Sequence, residues 1–184
     1  MINKSKNRGF TLLETLVAIL IMTTAITGPL TVAYKGFSAA TVAKDQITAF
    51  FLAQDALEYI RFARDTNRLK GADWINGTGG LSAGIDLSPC VSPNWCYLDS
   101  AGLVPTTPTA CVGTPVACPT LKYDTAAGTY QYDATDQETM FTRTVSVVSI
   151  VSGAEIVAST TVTWAGQSGI TRSVTLFENL LNWQ

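Results

Sequence analysis

The chain contains no histidine among its 184 residues. A Ser-His-Asp triad or a Cys-His pair therefore cannot form, and a zinc site would have to be built without imidazole. Cysteine is absent outside one segment: Cys90, Cys96, Cys111 and Cys118 are the only four, and none has the C-x-x-C spacing of a redox or zinc pair. The glycines at 77–84 lack the lysine and following helix of a phosphate-binding loop. Charge is scarce at 14% of residues, and six of the seven prolines lie between 89 and 119. No internal repeat or low-complexity tract is present. These absences point away from an enzyme: no catalytic residue, no metal ligand set and no cofactor is expected.

What is present is an apolar stretch. Residues 8–33 read RGFTLLETLVAILIMTTAITGPLTVA, and between Arg8 and Lys35 the only charged side chain is Glu14. About 20 apolar residues in a helix cross a bilayer core of roughly 30 Å, so this stretch is long enough to span. Lys4, Lys6 and Arg8 precede it and belong on the cytoplasmic side. A secretory signal has a shorter apolar core and a small-residue cleavage site after it; here the run continues and no such site follows. A plain anchor would account for everything except Glu14, a carboxylate inside the apolar run that calls for a partner.

A short basic leader ending in Gly9, then Phe10, then Glu14, then an unbroken apolar helix resembles the class III signal of type IV pilins and pseudopilins. The resemblance implies that a prepilin peptidase cuts between Gly9 and Phe10 on the cytoplasmic side and N-methylates Phe10. The apolar segment is then retained. Glu14 gains a partner in the amine of Phe10, on a neighbouring subunit as helices bundle into a filament. Near the C-terminus, FTRTVSVV, STTVTW and GITRSVTLFENLLNW resemble the V-type minor pilins (type IV pilus modification proteins), relatives of the I-type minor pseudopilins of type II secretion. Residues 71–120 match nothing in that family.

The expected function is that of a minor pilin in filament assembly or tip modification. The alternatives are a type II secretion pseudopilin of the I type and an adhesive or DNA-binding tip pilin. The implied partners are other pilin or pseudopilin subunits, the prepilin peptidase, an inner-membrane assembly platform, and membrane lipid before assembly. The implied location is a single pass through the inner membrane with the C-terminal domain outside the cytoplasm, then an extracellular or periplasmic filament. Removing residues 1–9 takes away Lys4, Lys6 and Arg8, so the net charge of −2 becomes −5, with 9 basic and 14 acidic residues. Such a chain has no general attraction for nucleic acid, which is not an expected partner. Arg61, Arg64 and Arg68 share a helix face, but Glu58 and Asp65 sit among them, and paired helix charges are the plainer account.

The predicted organisation is a leader over 1–9, a transmembrane and assembly helix over 10–34, an amphipathic helix over 35–70, a cysteine-containing connection over 71–120 and an antiparallel sheet over 121–184. The fold class is α+β, the pilin fold. A single helix from Phe10 to Lys70 would be about 90 Å long. Gly28-Pro29 predicts a kink or local melting within it. Ala43, Ile47, Phe50, Leu57 and Ile60 form the predicted apolar stripe of its second half. Glu58 can pair with Arg61 and Arg61 with Asp65, while Arg68, Lys70 and Gly71 suit a helix end. In an oxidising compartment the four cysteines form disulfides. Three connectivities are open, and loop-closure entropy favours Cys90–Cys96 with Cys111–Cys118.

Beyond the connection, Leu121–Asp124 and Thr129–Tyr132 predict a small hairpin. Phe141–Val151 follows as a strand, with a bulge where the alternation switches from Val147 to Val148. Ser152-Gly153 is a turn. Ile156 to Trp164 alternate on the next strand, and Ile170, Val174 and Leu176 on the last, with Arg172 an intruder. Leu180, Leu181 and Trp183 are apolar enough to dock. Asp133, Asp136 and Glu138 form an acidic cluster that calcium would tolerate, though Asp in turns is ordinary. Trp74, Trp95 and Tyr97 in the connection are either core or adhesive surface.

Overall fold

The computed structural model describes residues 10–100, 106–113, 117–166 and 169–182. Gly9, with the rest of the leader, and Trp183 fall outside them. The chain divides into two units, Met1–Lys44 and Asp45–Gln184. One helix, α1 (Leu12–Leu69), runs through both. It continues through Gly28-Pro29 without interruption, so the local melting expected there is absent. Proline removes one amide donor, the one that would reach the Ala25 carbonyl, and the turns on either side stay helical.

α1 stops where Gly71 stops it. Gly71 has φ of 67°, its N–H bonds to the Arg68 carbonyl, and the Ala72 N–H bonds to the Asn67 carbonyl at 2.9 Å. This is the paired closure of a glycine-ended helix, which satisfies two carbonyls the helix leaves open.

Among the described residues the second unit holds seven strands: β1 (Cys96–Tyr97), β2 (Thr109–Ala110), β3 (Thr120–Asp124), β4 (Thr129–Gln131), β5 (Gln137–Val151), β6 (Glu155–Ala165) and β7 (Thr171–Leu181). β5 is the spine. Along one edge it pairs antiparallel with β6, which pairs with β7; along the other it pairs with β3 and with β1. The connection thus gives two short strands to the sheet rather than lying outside it. The predicted hairpin is β3–β4, closed by Gly128 at φ 72°. The turn at Ser152-Gly153 is present, with the Ala154 N–H bonded to the Val151 carbonyl. The bulge falls between Ser149 and Val151, later than Val147-Val148; the register to β6 is continuous through Ser149.

Inward residues of β6 are Ile156, Ala158, Thr160, Val162 and Trp164, all buried, as the alternation predicts. On β7 Val174, Leu176 and Leu180 face inward, whereas Ile170 precedes the strand and is exposed. Leu180 is buried and Leu181 exposed.

The helix face against this sheet matches the predicted stripe at Leu57 and Ile60 and departs from it at the other three positions. Ala49, Leu52, Ala53, Ala56, Leu57, Ile60 and Ala63 are buried, while Ala43, Ile47 and Phe50 are exposed. Four of those seven are alanines. The sheet approaches where side chains are small, and the larger Ile47 and Phe50 fall on a different face. Full burial of a residue such as Ile60 contributes about 1.5–3 kcal/mol.

The glycine-rich start of the connection is built around one buried polar side chain. Asn67 is fully buried; its amide donates to the Ile85 carbonyl at 2.8 Å and its Oδ1 accepts the Ile85 N–H at 2.7 Å. Gly84 lies against it so closely that an added Cβ would clash with Asn67 Oδ1. Gly84 is thus a consequence of close packing around Asn67, and Gly77 packs backbone to backbone against Gly84.

Cys90 is bonded to Cys96 and Cys111 to Cys118. The first pair is fully buried in the main core beside Leu87, Leu98 and Val145; the second is only partly covered. Each ring is short and contributes about 2 kcal/mol by chain entropy. Native protein is therefore expected to resist alkylation at all four sulfurs. On graded reduction Cys111 and Cys118 are expected to react before Cys90 and Cys96, with the β5–β6–β7 ladder intact at that stage. A native thiol at any of the four positions, or reaction of the buried pair first, contradicts this.

Candidate functional site

The first unit has few places for chemistry and much apolar surface. Phe10 is 78% exposed, and Leu12, Leu13, Ile19, Leu20, Met22 and Ile26 are each more than half exposed. The helix is long and apolar enough to cross a membrane, and no part of its most apolar window is buried within the chain. Its hydroxyls suit an apolar surrounding. Thr15, Thr23, Thr24, Thr27 and Thr31 each donate to a helix carbonyl three or four residues earlier, at 2.8 to 3.0 Å. Each hydroxyl is satisfied within the helix, as a lipid-facing polar group must be.

Glu14 occupies a defined position at the start of this helix. Thr11 Oγ1 accepts the Glu14 N–H at 3.3 Å, and the Thr11 carbonyl accepts the N–H groups of Glu14 and Thr15. Thr11 is thus the cap, and Glu14 is the acidic third residue of the first turn, the arrangement T-x-x-E of a capping box. A carboxylate there also favours the positive end of the helix dipole. The apolar pattern alone gives Glu14 no local role; its place in the first turn, at the positive end of the helix dipole, gives it one, in addition to any partner outside the chain.

Residues 4–28 match the prokaryotic N-terminal methylation motif. This is the signal of type IV pilin-like prepilins, a class of structural subunits; it implies processing by a prepilin peptidase and assembly with other pilin subunits. The motif and the exposed apolar helix fit an inner-membrane anchored, single-pass protein. No curated protein and no solved structure matches the chain.

The candidate sites in the second unit resolve into structural pairings. Arg61 donates to Glu58 at 2.8 Å and to Glu178 on β7, and these two carboxylates, Glu178 foremost, hold its pKa up. Asp65 is engaged by Arg64, at 2.7 Å, rather than by Arg61 as predicted. The reason is reach: Arg61 is drawn across to β7 by Glu178. With Arg61 and Arg64 so engaged, the three arginines do not form an open cationic face. Asp133 accepts the N–H and hydroxyl of Thr135, which hold its carboxyl below the usual range, and Asp136 accepts the Gln131 amide at 2.6 Å. Among the described residues no three His, Cys, Asp or Glu side chains converge to hold a metal ion. Trp74 is buried, Tyr97 packs tilted against Tyr132 at 4.9 Å between ring centroids, and Trp95 is exposed.

One polar centre is not legible as a site in the sequence. Arg143 on β5 is fully buried. Its guanidinium donates to the Leu52 carbonyl of α1 at 3.1 Å, to Asp55 at 2.7 Å and to the Leu98 carbonyl of the connection at 2.7 Å. Ser100 accepts from Arg143 and donates to Asp55. Helix, connection and sheet are tied at one side chain. Tyr132 faces the same guanidinium without reaching hydrogen-bond geometry, and burial pushes its phenol up against the opposing Arg143 charge. Nearby, Tyr59 donates to the Thr106 carbonyl; burial, with Asp99 adding to it, raises its phenol to about 12. The signal for Arg143 is the alternation itself: it has the same parity as Phe141, Val145 and Val147.

Proposed function

We propose that the protein is a minor pilin of a type IV pilus, a structural subunit for filament assembly or tip modification. One observation carries the reading: a methylation motif at residues 4–28 leads directly into an exposed apolar helix whose sole charge before Lys35 is Glu14. In this reading residues 1–9 are the leader, cut between Gly9 and Phe10, and Phe10 is methylated. Residues 10–34 hold the subunit in the membrane and then pack among other helices. Residues 35–70, the cysteine-bearing connection over 71–120 and the sheet over 121–184 lie outside the cytoplasm. Glu14 and the amine of Phe10 on an adjacent subunit offset each other's burial, because neither charge is well solvated in an apolar bundle.

Intact-mass analysis of membrane-extracted protein tests the processing step. The expected chain begins at Phe10 and carries one methyl group; a chain beginning at Met1, or trimmed within the apolar helix, removes the basis of the reading. Shearing cells then separates the rivals. Recovery in sheared surface filaments is expected for a pilus subunit, and retention in the periplasm with no sheared fraction belongs to a type II secretion pseudopilin.

A further inference from the structure

β7 is a long open edge. It pairs with β6 from Thr171 to Leu181 and, among the described residues, with no other strand. The bonds that flank this ladder fix which backbone groups face outward. Gly166 donates to the Ile170 carbonyl and Asn182 donates to the Ala154 carbonyl. Ile170 and Asn182 are both even-numbered, and bonding direction along a strand repeats every two residues. Even-numbered residues of β7 therefore bond to β6. Thr171, Ser173, Thr175, Phe177, Asn179 and Leu181 present N–H and C=O to the open side.

Natural edges of this length are blunted by proline, lysine, bulges or inward charges. β7 has no proline, no lysine and no register shift against β6. It has only the inward charges, Arg172 opposite Trp164 and Glu178 opposite Ala158. Those charges are placed with a symmetry. The helix-facing side of β7 reads Arg172, Val174, Leu176, Glu178. Run against itself antiparallel with Thr175 on the two-fold axis, the strand sets Arg172 opposite Glu178 and Val174 opposite Leu176. Opposite charges across a strand pair stabilise it, and a mismatch does not. The smallest slip that keeps the faces aligned is two residues, and it sets Arg172 opposite Leu176 or Leu180. Both hydrogen bonds that Arg61 makes to Glu178 use Oε1, so Oε2 can take a second guanidinium. Val174 and Leu176, only partly covered in the single chain, become interior.

We infer that β7 is a homotypic docking edge: two copies of this chain join antiparallel along it, Thr175 facing Thr175 and Arg172 facing Glu178 of the second copy. The inward charges that would oppose an arbitrary strand are answered only in this register. The two-fold axis reverses the second copy's sheet and the part of α1 packed on it. The contact therefore joins chains of opposed direction, either unassembled subunits or subunits of separate assemblies, and not neighbours within one filament. It rests on β7 and not on the filament reading.

The test is the association of the full mature chain in detergent, followed by sedimentation equilibrium over a concentration series. The wild type is expected to form a dimer. Thr175→Pro removes an outward N–H and the hydroxyl bond to Thr161 while leaving every backbone bond to β6, so it should fold and dimerise at least tenfold more weakly. Thr175→Cys should cross-link under mild oxidation. Thr171→Cys should not, because its two copies lie roughly 27 Å apart in this register at about 3.4 Å per residue. A wild type that stays monomeric, a folded Thr175→Pro protein that dimerises like the wild type, or equal cross-linking at 171 and 175 overturns the inference. If Thr175→Pro fails to fold, the two cysteine variants decide it.

Discussion

Glu14→Ala is expected to enter the membrane as well as the wild type or better, and to be recovered in filaments at roughly a tenth to a hundredth of the wild-type level. A lone charge at a helix centre in lipid costs about 2.5–3.5 kcal/mol on insertion scales. Removing Glu14 lifts that cost from the single subunit but leaves the amine of Phe10 without a counter-charge in the bundle. Even half that cost, at about 1.4 kcal/mol per decade, gives the tenfold figure. The capping geometry sharpens the experiment. Alanine removes the acidic residue of the T-x-x-E spacing as well as the charge, while the Thr11 cap to the residue-14 N–H stays in place. Glutamine serves in a capping box as glutamate does, so Glu14→Gln preserves the helix start and lacks only the charge. If Glu14 acts by pairing with an amine, the glutamine variant is nearly as defective as the alanine variant. If it acts by starting the helix, glutamine restores incorporation. Both variants are compared for insertion, cleavage at Gly9 and recovery in sheared filaments; normal recovery of both would remove Glu14 from assembly and leave a plain anchor.

The elements of this fold were legible where one physical signal dominated. The apolar run from Phe10 has no competing pattern, and Gly71 ends α1 because the closing turn needs positive φ. Ile156 to Trp164 alternate so cleanly that their burial could be read residue by residue. The periodicity places the helix stripe correctly at Leu57 and Ile60 and not at Ala43, Ile47 and Phe50. Alanine scores weakly as an apolar residue, yet it lets a sheet approach a helix closely, so Ala49, Ala53, Ala56 and Ala63 share the buried face with Leu52, Leu57 and Ile60, and Phe50 falls outside it. Pro29 leaves the helix continuous because it removes one bond and the surrounding turns keep the rest.

The connection resisted reading because its order is set by single contacts rather than by periodicity. Nothing local says that Asn67, on a helix, will bond to Ile85. Once that is seen, Gly84 follows from the space left and the buried disulfide follows from the core the loop covers. Arg61 shows the same limit in another form. Its helical spacing to Asp65 was correct, but Glu178, 117 positions away, competes successfully for it. For the membrane unit the case is reversed: the methylation motif is read from sequence, and what the structure adds is the cap at Thr11.

Arg143→Ala is expected to destabilise the second unit by about 3–5 kcal/mol, more than any other single polar substitution discussed. The side chain is wholly buried, so its loss leaves a cavity between α1 and the sheet and removes the donor from the Leu98 carbonyl. A buried group left without its partner costs about 1–3 kcal/mol, and truncating a large buried side chain adds the cavity cost. Arg143→Met separates these contributions. Methionine fills much of the volume and brings no charge into the core, and a buried ion pair replaced by apolar side chains is often neutral. Here the partner is not buried with it: Asp55 has about half its side chain exposed (49%) and is readily hydrated. The remaining cost of Arg143→Met is the unpaired Leu98 carbonyl, about 1–3 kcal/mol. Asp55→Ala tests the other side. It leaves a buried guanidinium with two carbonyls and Ser100 for partners but no carboxylate, so its cost should lie between those of the Met and Ala variants. Thermal unfolding of the full chain, followed by the β-sheet circular dichroism signal, gives the order. Arg143→Met as stable as the wild type would mean that the ties to α1 and the connection contribute nothing. An Arg143→Ala loss below that of Asp55→Ala would move the weight of the centre from the arginine to the ion pair.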